Sequence, residues 1–314
     1  SALVSMFYHW GIIQKVVGAF AWVLRKFMNI SGSEGLVAAG NIFMGMTESP
    51  VLIKNYLPTM NRSEIFLVMV SGMGTIAGSV MGTYIGMLGG TDPAAKVLFA
   101  THLLSASVMA VPGSIVLAKM LCPQTEEATD HVAISGKEKE NSNILDAISS
   151  GTVTGVKLMT NIAAMLLVFI SLVALANYIT EGVIGRYTGL NDWIVKITDG
   201  KAQGLTFQFI LGVITSPFMW LIGVPSQDIM LVGSLLGQKT ILNEFVAYFQ
   251  LQQWKDAGLF MYEKSILMST YILCGFANIS SIGILLGGLG VLAPEKRGLI
   301  SRIGVPAMIG GALV

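Results

Sequence analysis

The chain is poor in charged residues, which make up only 12% of its 314 positions. A soluble globular domain carries about 25%. Nineteen basic residues against eighteen acidic ones give a net charge of +1, so a nucleic-acid partner is not expected. Hydrophobic residues account for 53% of the chain, and its mean hydropathy is +0.70. The composition predicts a polytopic membrane protein.

Residues that hold disulfides, metals or reaction centres are also scarce. The two cysteines, Cys122 and Cys274, lie far apart, and the three histidines are scattered. This pattern argues against a disulfide framework and against a zinc site. The sequence contains no GxSxG, HExxH or GxxxxGK[ST] motif. We therefore expect neither an enzyme nor a bound cofactor.

Long uncharged runs are plentiful. A bilayer-spanning helix needs about 20 mostly apolar residues, and four stretches qualify: 65–91, 97–118, 158–180 and 265–294. Residues 10–29 combine Lys15, Arg25 and Lys26 with aromatic residues, which predicts a helix lying in the membrane interface, or else a short span. The chain starts and stops within apolar stretches and has no recognisable signal peptide, so we expect a piece of a longer membrane protein.

Two stretches are apolar but unsuited to a simple span. In residues 36–60, the sequence GMTESP interrupts the run and Pro50 breaks any continuous helix. Residues 202–227 contain two prolines, and the chain then runs back toward Asn243 and Glu244. Each stretch predicts a re-entrant helical hairpin, the second with its tip at Gly223–Ser226. A glycine-rich uncharged segment follows each hairpin, which indicates a weak internal repeat.

A few polar residues fall inside these apolar regions. A charged residue at the centre of a membrane helix costs roughly 2.5–3.5 kcal/mol, so Glu48 and Glu244 are functional candidates unless they reach the headgroups. Asn41 and Thr75, with nearby carbonyls, are consistent with a sodium site or with ordinary interhelical hydrogen bonds. Asn278 and Ser281 are three residues apart and share a helical face.

Three separated motifs resemble the concentrative nucleoside transporters. They are GNIFMGMTESPVLIKNYLPTMNRSE, WLIGVPSQDIMLVGSLLGQKTILNEFVAY and CGFANISSIGILLGGLGVLAP. The resemblance covers essentially the whole chain. It implies an all-α membrane protein with two re-entrant hairpins and two broken helices, forming an elevator-type transport domain on a homotrimeric scaffold in the plasma (inner) membrane.

The resemblance also implies roles for individual residues. The nucleobase would be held by Gly45, Thr47 and Glu48, with Val80, Phe276 and Leu158 around it. The ribose hydroxyls would be held by Glu244, Asn278 and Ser281. Sodium, the coupling ion, would be bound by the side chains of Asn41 and Thr75 and by the carbonyls of Met44 and Ile76.

One residue departs from the family pattern. The family usually has Gln where this chain has Met46, and a thioether donates no hydrogen bond. The preference for purine or pyrimidine nucleosides therefore stays open. Family members driven by protons tend to lack the Asn that corresponds to Asn41, so its presence favours sodium over protons.

The resulting hypothesis is a cation-coupled nucleoside symporter working by alternating access. Its alternatives are a proton-coupled symporter and, from other classes, a channel or an intramembrane enzyme. The expected organisation is a scaffold and interfacial segment (1–29), the first hairpin with its broken helix and the next span (30–121), a linker (122–150), a scaffold helix with a surface segment (151–201), the second hairpin and broken helix (202–296), and the start of a last span (297–314).

Overall fold

The computed structural model describes residues 6, 9–28, 30–126, 143–198 and 202–314. Every regular element in these residues is helical. The α-helices are α1 (Ile12–Met28), α2 (Gly32–Gly40), α3 (Arg62–Gly74), α4 (Gly78–Gly89), α5 (Pro93–Leu121), α6 (Ile144–Asn177), α7 (Leu190–Ile197), α8 (Phe207–Leu221), α9 (Ile229–Ile241), α10 (Glu244–Asp256), α11 (Glu263–Leu273), α12 (Ile279–Leu292) and α13 (Arg297–Leu313). Shorter elements are a single helical turn (Arg186–Thr188), a π-helix (Tyr178–Gly185) and two 3-10 helices (Ser49–Ile53 and Pro294–Lys296).

The chain divides into two compact units. The first unit contains Ser1–Leu158 and Cys274–Val314, and the second contains Met159–Leu273. Helices α1 to α5, α12 and α13 therefore belong to the first unit, and α7 to α11 belong to the second. The six sequence segments proposed above stay a prediction.

Two of the four predicted spans are interrupted. The stretch 65–91 forms α3 and α4 with a break at Thr75–Ala77, and the stretch 265–294 forms α11 and α12 with a break at Cys274–Asn278. The stretch 97–118 lies within the continuous helix α5. Within the described residues, two segments are long and apolar enough to cross a membrane, Arg62–Gly89 and Pro93–Leu121.

The first predicted hairpin is present. Helix α2 begins with a capping box in which Ser31 accepts from the Glu34 main-chain N–H and Glu34 accepts from the Ser31 N–H. It ends at Gly40, and the chain turns through residues 41–48 before entering the short 3-10 helix with Pro50 near its start. The interruption predicted at residues 45–50 is therefore present, although α2 already ends at Gly40, before this stretch begins.

A partly buried ion pair attaches this hairpin to α5. The Lys119 ammonium contacts the Glu34 carboxylate, which is 1% exposed, and also donates to the Ser63 hydroxyl at 3.1 Å. The Ser63 hydroxyl in turn donates to the Cys122 carbonyl at 2.7 Å. Because each polar group in this cluster has partners, the charges are tolerated inside an apolar region.

The second hairpin has the predicted turn, and the chain runs back from it through α9 toward Glu244. Helices α8 and α9 are joined by a turn in which Gly223 has a φ of 83°. The buried Asp228 anchors this turn by accepting from the main-chain N–H groups of Met261 and Tyr262 at 3.0 and 3.1 Å. A further turn then follows α9, and Glu244 begins α10 there.

Candidate functional site

The turn 41–49 packs closely on three helices of the first unit. A Cβ atom on Gly72 of α3 would lie 2.9 Å from the Met46 Cβ, and a Cβ on Gly288 of α12 would lie 3.2 Å from the Thr47 methyl group. The Phe43 carbonyl accepts from the N–H of Gly78, where α4 begins, at 3.2 Å. The first hairpin tip is therefore held against α3, α4 and α12.

The two helix breaks also meet each other. The Phe276 N–H donates to the Thr75 carbonyl at 3.3 Å. Gly275 has a φ of 145°, and a Cβ there would approach the Met73 and Gly74 carbonyl oxygens to 3.0 Å. Only a residue without a side chain fits this approach comfortably. The structure thus brings the hairpin tip, the first break and the second break into contact within one unit.

Asn41 lies at the centre of a buried hydrogen-bond network. It is 0% exposed, follows α2 as its C-cap, and donates from Nδ2 to the Ser71 hydroxyl of α3 at 2.9 Å. Its Oδ1 accepts from the Ser49 hydroxyl. Because an amide oxygen has two lone pairs, Oδ1 can accept from Ser49 and still bind a cation. The Thr75 hydroxyl donates to the Ser71 carbonyl at 2.9 Å, which leaves its oxygen lone pairs available.

Two buried carbonyl oxygens beside this network lack a donor. Met44 and Ile76 are 7% and 0% exposed. Among the described residues, no hydrogen bond reaches the main-chain oxygen of either one. Buried carbonyl oxygens nearly always accept a hydrogen bond. Two that lack a donor are therefore suited to bind a cation. The described ranges contain no cluster of three or more His, Cys, Asp and Glu, and the oxygens named here, from Asn41, Met44, Thr75 and Ile76, are neutral.

The hairpin tip points its residues in different directions. Gly45 and Met46 are buried, whereas Thr47 and Glu48 are exposed. The Glu48 carboxylate accepts from the Gly45 N–H at 3.4 Å, which ties it to its own turn. Met46 belongs to the hydrophobic core of the unit. The tip therefore offers a carboxylate and a hydroxyl outward, while the thioether faces the interior.

The second break presents polar side chains. Asn278 is the N-cap of α12, and its Oδ1 accepts from the Ser281 N–H at 2.9 Å, the Ser281 hydroxyl at 3.0 Å and the Ser280 hydroxyl at 2.6 Å. Asn278 and Ser281 are 2% and 1% exposed, and Phe276 is half-buried. The predicted pair Asn278 and Ser281 is therefore in direct contact.

The remaining predicted residues are placed separately. Val80 is buried in the first turn of α4 in the same unit. Glu244 belongs to the second unit, where it is 7% exposed in the first turn of α10, directly after the N-cap Asn243. Leu158 lies on α6, but its side chain is outside the described part of the chain.

Three serines of the site were not predicted. Ser49 and Ser71 bind Asn41, and Ser280 binds Asn278. Ser280 could have been found, because a hydroxyl two residues after an N-cap Asn is within reach of its side chain. Ser71 could not, because its contact with Asn41 spans 30 residues of sequence.

Two family models match the chain and together cover most of it. Residues 102–314 match the C-terminal region of Na+-dependent nucleoside transporters, and residues 1–91 match a nucleoside-recognition model. The chain belongs to the Na+-dependent nucleoside transporter family. The resemblance seen in its motifs is thereby confirmed, and the chain is part of an integral membrane transporter.

Individual relatives agree with this assignment. An "uncharacterized transporter" of Haemophilus influenzae is 39% identical over the full chain, which spans 70% of that protein. The rat sodium/nucleoside cotransporter 1 is 38% identical, also over the full chain. The chain spans 47% of this mammalian relative, which is less than half of its length.

Solved structures confirm the transporter fold. The chain is similar to the transporter CNTnw in an inward-facing substrate-bound state, with a TM-score of 0.85 and 35% identity over 99% of the chain and 70% of CNTnw. It is also similar to a substituted form of CNTnw in an outward-facing state, with a TM-score of 0.88 and 34% identity over the same shares. Its all-helical architecture is therefore that of this transporter.

Proposed function

We propose that this chain forms the cation- and solute-binding part of a sodium-coupled nucleoside symporter that works by alternating access. The observation that carries the proposal is the contact of the hairpin tip with two broken helices, which brings buried carbonyls and buried polar side chains together. Broken helices and hairpin tips of this kind bind ions and solutes in secondary transporters.

The proposed sodium site consists of Asn41, Met44, Thr75 and Ile76. It would use the Asn41 amide oxygen, the Thr75 hydroxyl and the two unpaired carbonyls. Hard cations prefer oxygen ligands, and sodium needs no carboxylate to be bound. A cation at this place would satisfy carbonyl oxygens that otherwise lose their hydrogen bonds to water on burial.

The proposed nucleoside site lies on the other side of the same turn. Thr47 and Glu48 would contact the base, and Asn278 and Ser281 would bind the ribose with Glu244. Gly45 and Val80 would shape the base side, together with Phe276, Leu158 and, through its packing, Met46.

Coupling follows from the shared turn. Asn41 and Met44 stand on the cation side, and Thr47 and Glu48 follow within four residues on the solute side. A cation that fixes the turn also fixes the Glu48 carboxylate, which is bonded to the Gly45 N–H. The binding of each partner then raises the affinity for the other by the same factor.

The larger assembly is proposed by analogy with the family. An elevator-like movement agrees with the similarity to inward- and outward-facing states of CNTnw. The homotrimer, the re-entrant hairpins and the plasma (inner) membrane are carried over from the family resemblance. The proposal keeps the six segments predicted from the sequence, from the scaffold and interfacial segment (1–29) to the start of the last span (297–314).

Proton coupling is the alternative that uses the same fold. It is disfavoured because the cation ligands proposed here are neutral oxygens, none of which takes up a proton near neutral pH. A channel or an intramembrane enzyme would need a continuous pore or a second catalytic group, and the site suggests neither.

Replacement of Asn41 by Ala tests the cation site. We expect the sodium affinity of nucleoside uptake to fall about tenfold or more, since a ligand and two buried hydrogen bonds are lost together. The matched control is Asn177→Ala in the second unit, which removes an amide that bonds Gln208 and the Phe207 N–H. Uptake against sodium concentration should be unchanged in the control, and an unchanged curve in Asn41→Ala would refute the assignment.

A further inference from the structure

The chain contains two places where the carboxyl ends of two helices are linked by a side chain. In the first unit, Asn41 at the end of α2 donates to Ser71 in the last turn of α3 at 2.9 Å. In the second unit, Lys239 in the last turn of α9 donates from Nζ to the carbonyl of Ile272 in the last turn of α11, also at 2.9 Å. In each place, the second helix is the one that leads into a break.

Both places share an electrostatic requirement. The carboxyl end of a helix carries about half a negative charge and carbonyl oxygens without helical partners. A positive group between two such ends is favourable, and more so where the ends are buried. Neither α2 nor α3 has a basic residue in its last turn, and the part of the chain that the structure describes offers no donor to the nearby Met44 and Ile76 carbonyls.

The second place contains the positive group within the chain. Lys239 is 2% exposed, and burial of an ammonium is costly unless negative groups surround it. The converging ends of α9 and α11 supply such an environment. A second donor acts on the same helix end, since the Tyr248 hydroxyl donates to the Thr270 carbonyl at 2.8 Å. Two carbonyls in the last turn of α11, those of Thr270 and Ile272, therefore accept from the protein's own donors.

We propose that Lys239 is a tethered counterpart of the coupling cation. Its ammonium takes, at the ends of α9 and α11, the place that sodium takes at the ends of α2 and α3. This inference rests on the proposed sodium-coupled transport. Of the two places, only the one at α2 and α3 then holds a cation that can dissociate, because the Lys239 ammonium is covalently attached and cannot be released with the solute.

Loss of the Lys239 ammonium would leave a vacant cation site at the ends of α9 and α11. Removal of the ammonium leaves the Ile272 carbonyl at a buried helix end without its donor. A second sodium ion has the charge and the ligand preference to fill that place. Loss of Lys239 should therefore change how many cations are used, and not only how fast the protein works.

The test uses the full-length protein in proteoliposomes, with sodium as the cation and a labelled nucleoside as the solute. The variants are Lys239→Met, which keeps the length of the stem, and Lys239→Arg, which keeps the charge. The matched control is Lys255→Met on α10, where the lysine faces Asp256 at 3.5 Å near the surface. Uptake against sodium concentration, the charge moved per nucleoside, and thermal stability against sodium concentration are measured for each.

We expect one charge per nucleoside in the parent, Lys239→Arg and Lys255→Met. In Lys239→Met, the Hill coefficient for sodium should rise from about 1 toward about 2, and sodium should stabilise the protein over a second concentration range. The stability readout decides the question even when Lys239→Met does not transport. Parent-like sodium curves in Lys239→Met, or two charges per nucleoside in the parent, would overturn the proposal. Absence of any sodium-driven uptake in the parent would instead count against the proposed function.

Discussion

The two helix breaks of the first unit meet at the hairpin tip, yet they offer different chemistry. The break at Thr75–Ala77 presents main-chain oxygens, with the Ile76 carbonyl unpaired. The break at Cys274–Asn278 presents side chains, with Asn278 and Ser281 bonded to each other and Phe276 half-exposed. Neutral oxygen ligands suit a small cation, and a set of amide, hydroxyl and aromatic groups suits a nucleoside.

The difference indicates a division of labour between two similar backbones. Each break opens a helix at glycine-rich sequence, but the following residue decides what is displayed. After the first break, Ala77 is an N-cap without a side-chain hydrogen bond. After the second, Asn278 caps α12 and carries an amide. A substitution at one break should therefore lower the affinity for one ligand, sodium or the nucleoside, more than the affinity for the other.

The largest effect is expected where the two breaks touch. Gly275→Ala places a Cβ 3.0 Å from two carbonyl oxygens at a φ of 145°, so the contact between the breaks is strained. Such strain costs about 1–3 kcal/mol, and displacement of the carbonyls adds to it. Thermal unfolding of the full-length protein should show a marked loss of stability. Gly283→Ala in α12, where a Cβ meets nothing within 4 Å, is the control and should unfold near the parent temperature. Equal stability of both variants would mean that the breaks are not in contact.

Asn278→Asp separates capping from recognition. Asp and Asn are comparable N-caps, so α12 should remain stable, but a carboxylate cannot donate a hydrogen bond as an amide does. Nucleoside affinity should fall about tenfold or more, while sodium affinity stays near that of the parent. Equilibrium binding of a labelled nucleoside and sodium titration measure the two. A loss of sodium affinity larger than the loss of nucleoside affinity would contradict the division of labour.

The ribose side should be stricter than the base side. A nucleoside without its 3′-hydroxyl leaves buried polar groups unpaired at about 1–3 kcal/mol per group, so it should bind roughly tenfold more weakly. In Glu244→Gln, the difference between the two nucleosides should shrink if Glu244 binds this hydroxyl. Competition against a labelled nucleoside gives both ratios. If the 3′-deoxy compound competes as well as its parent, Glu244 does not bind the 3′-hydroxyl.

The smallest effect is expected at the base side. Met46 is 7% exposed and packs on Gly72, so a glutamine there must bury an amide in an apolar environment. Met46→Gln should change the ranking of purine and pyrimidine nucleosides more than the maximal rate for the best one. Met219→Gln, at a methionine 2% exposed in α8, is the matched control and should leave the ranking unchanged. Identical rankings in Met46→Gln and the parent would show that residue 46 does not influence the base.

Local sequence signals predicted much of the fold. The chain turns through residues 41–48 after α2, close to the interruption predicted at residues 45–50, and Gly223 formed a turn where a hairpin tip was predicted. The S-x-x-E and N-x-x-E spacings also indicate the capping boxes at Ser31 and Asn61. They explain why Glu34 and Glu64 are buried, since each carboxylate caps its own helix.

Long-range partners could not be predicted in the same way. Lys239 contacts a carbonyl 33 residues away, and Lys119 contacts Glu34 across 85 residues. Neither sequence neighbourhood contains a signal for its partner, because the contact depends on how helices pack. Glu244 begins α10 after the turn that follows α9, and this position depended on packing in the same way.

The most direct test of the account is nucleoside uptake by the full-length protein in liposomes under imposed gradients. Labelled uridine, adenosine and guanosine are supplied with an inward sodium gradient, an inward proton gradient, or neither. We expect at least one nucleoside to accumulate above equilibrium with the sodium gradient alone, and Asn41→Ala to require more sodium for the same uptake. Accumulation driven equally well by protons, or uptake that only equilibrates the nucleoside, would contradict a sodium site built from Asn41 and the two unpaired carbonyls.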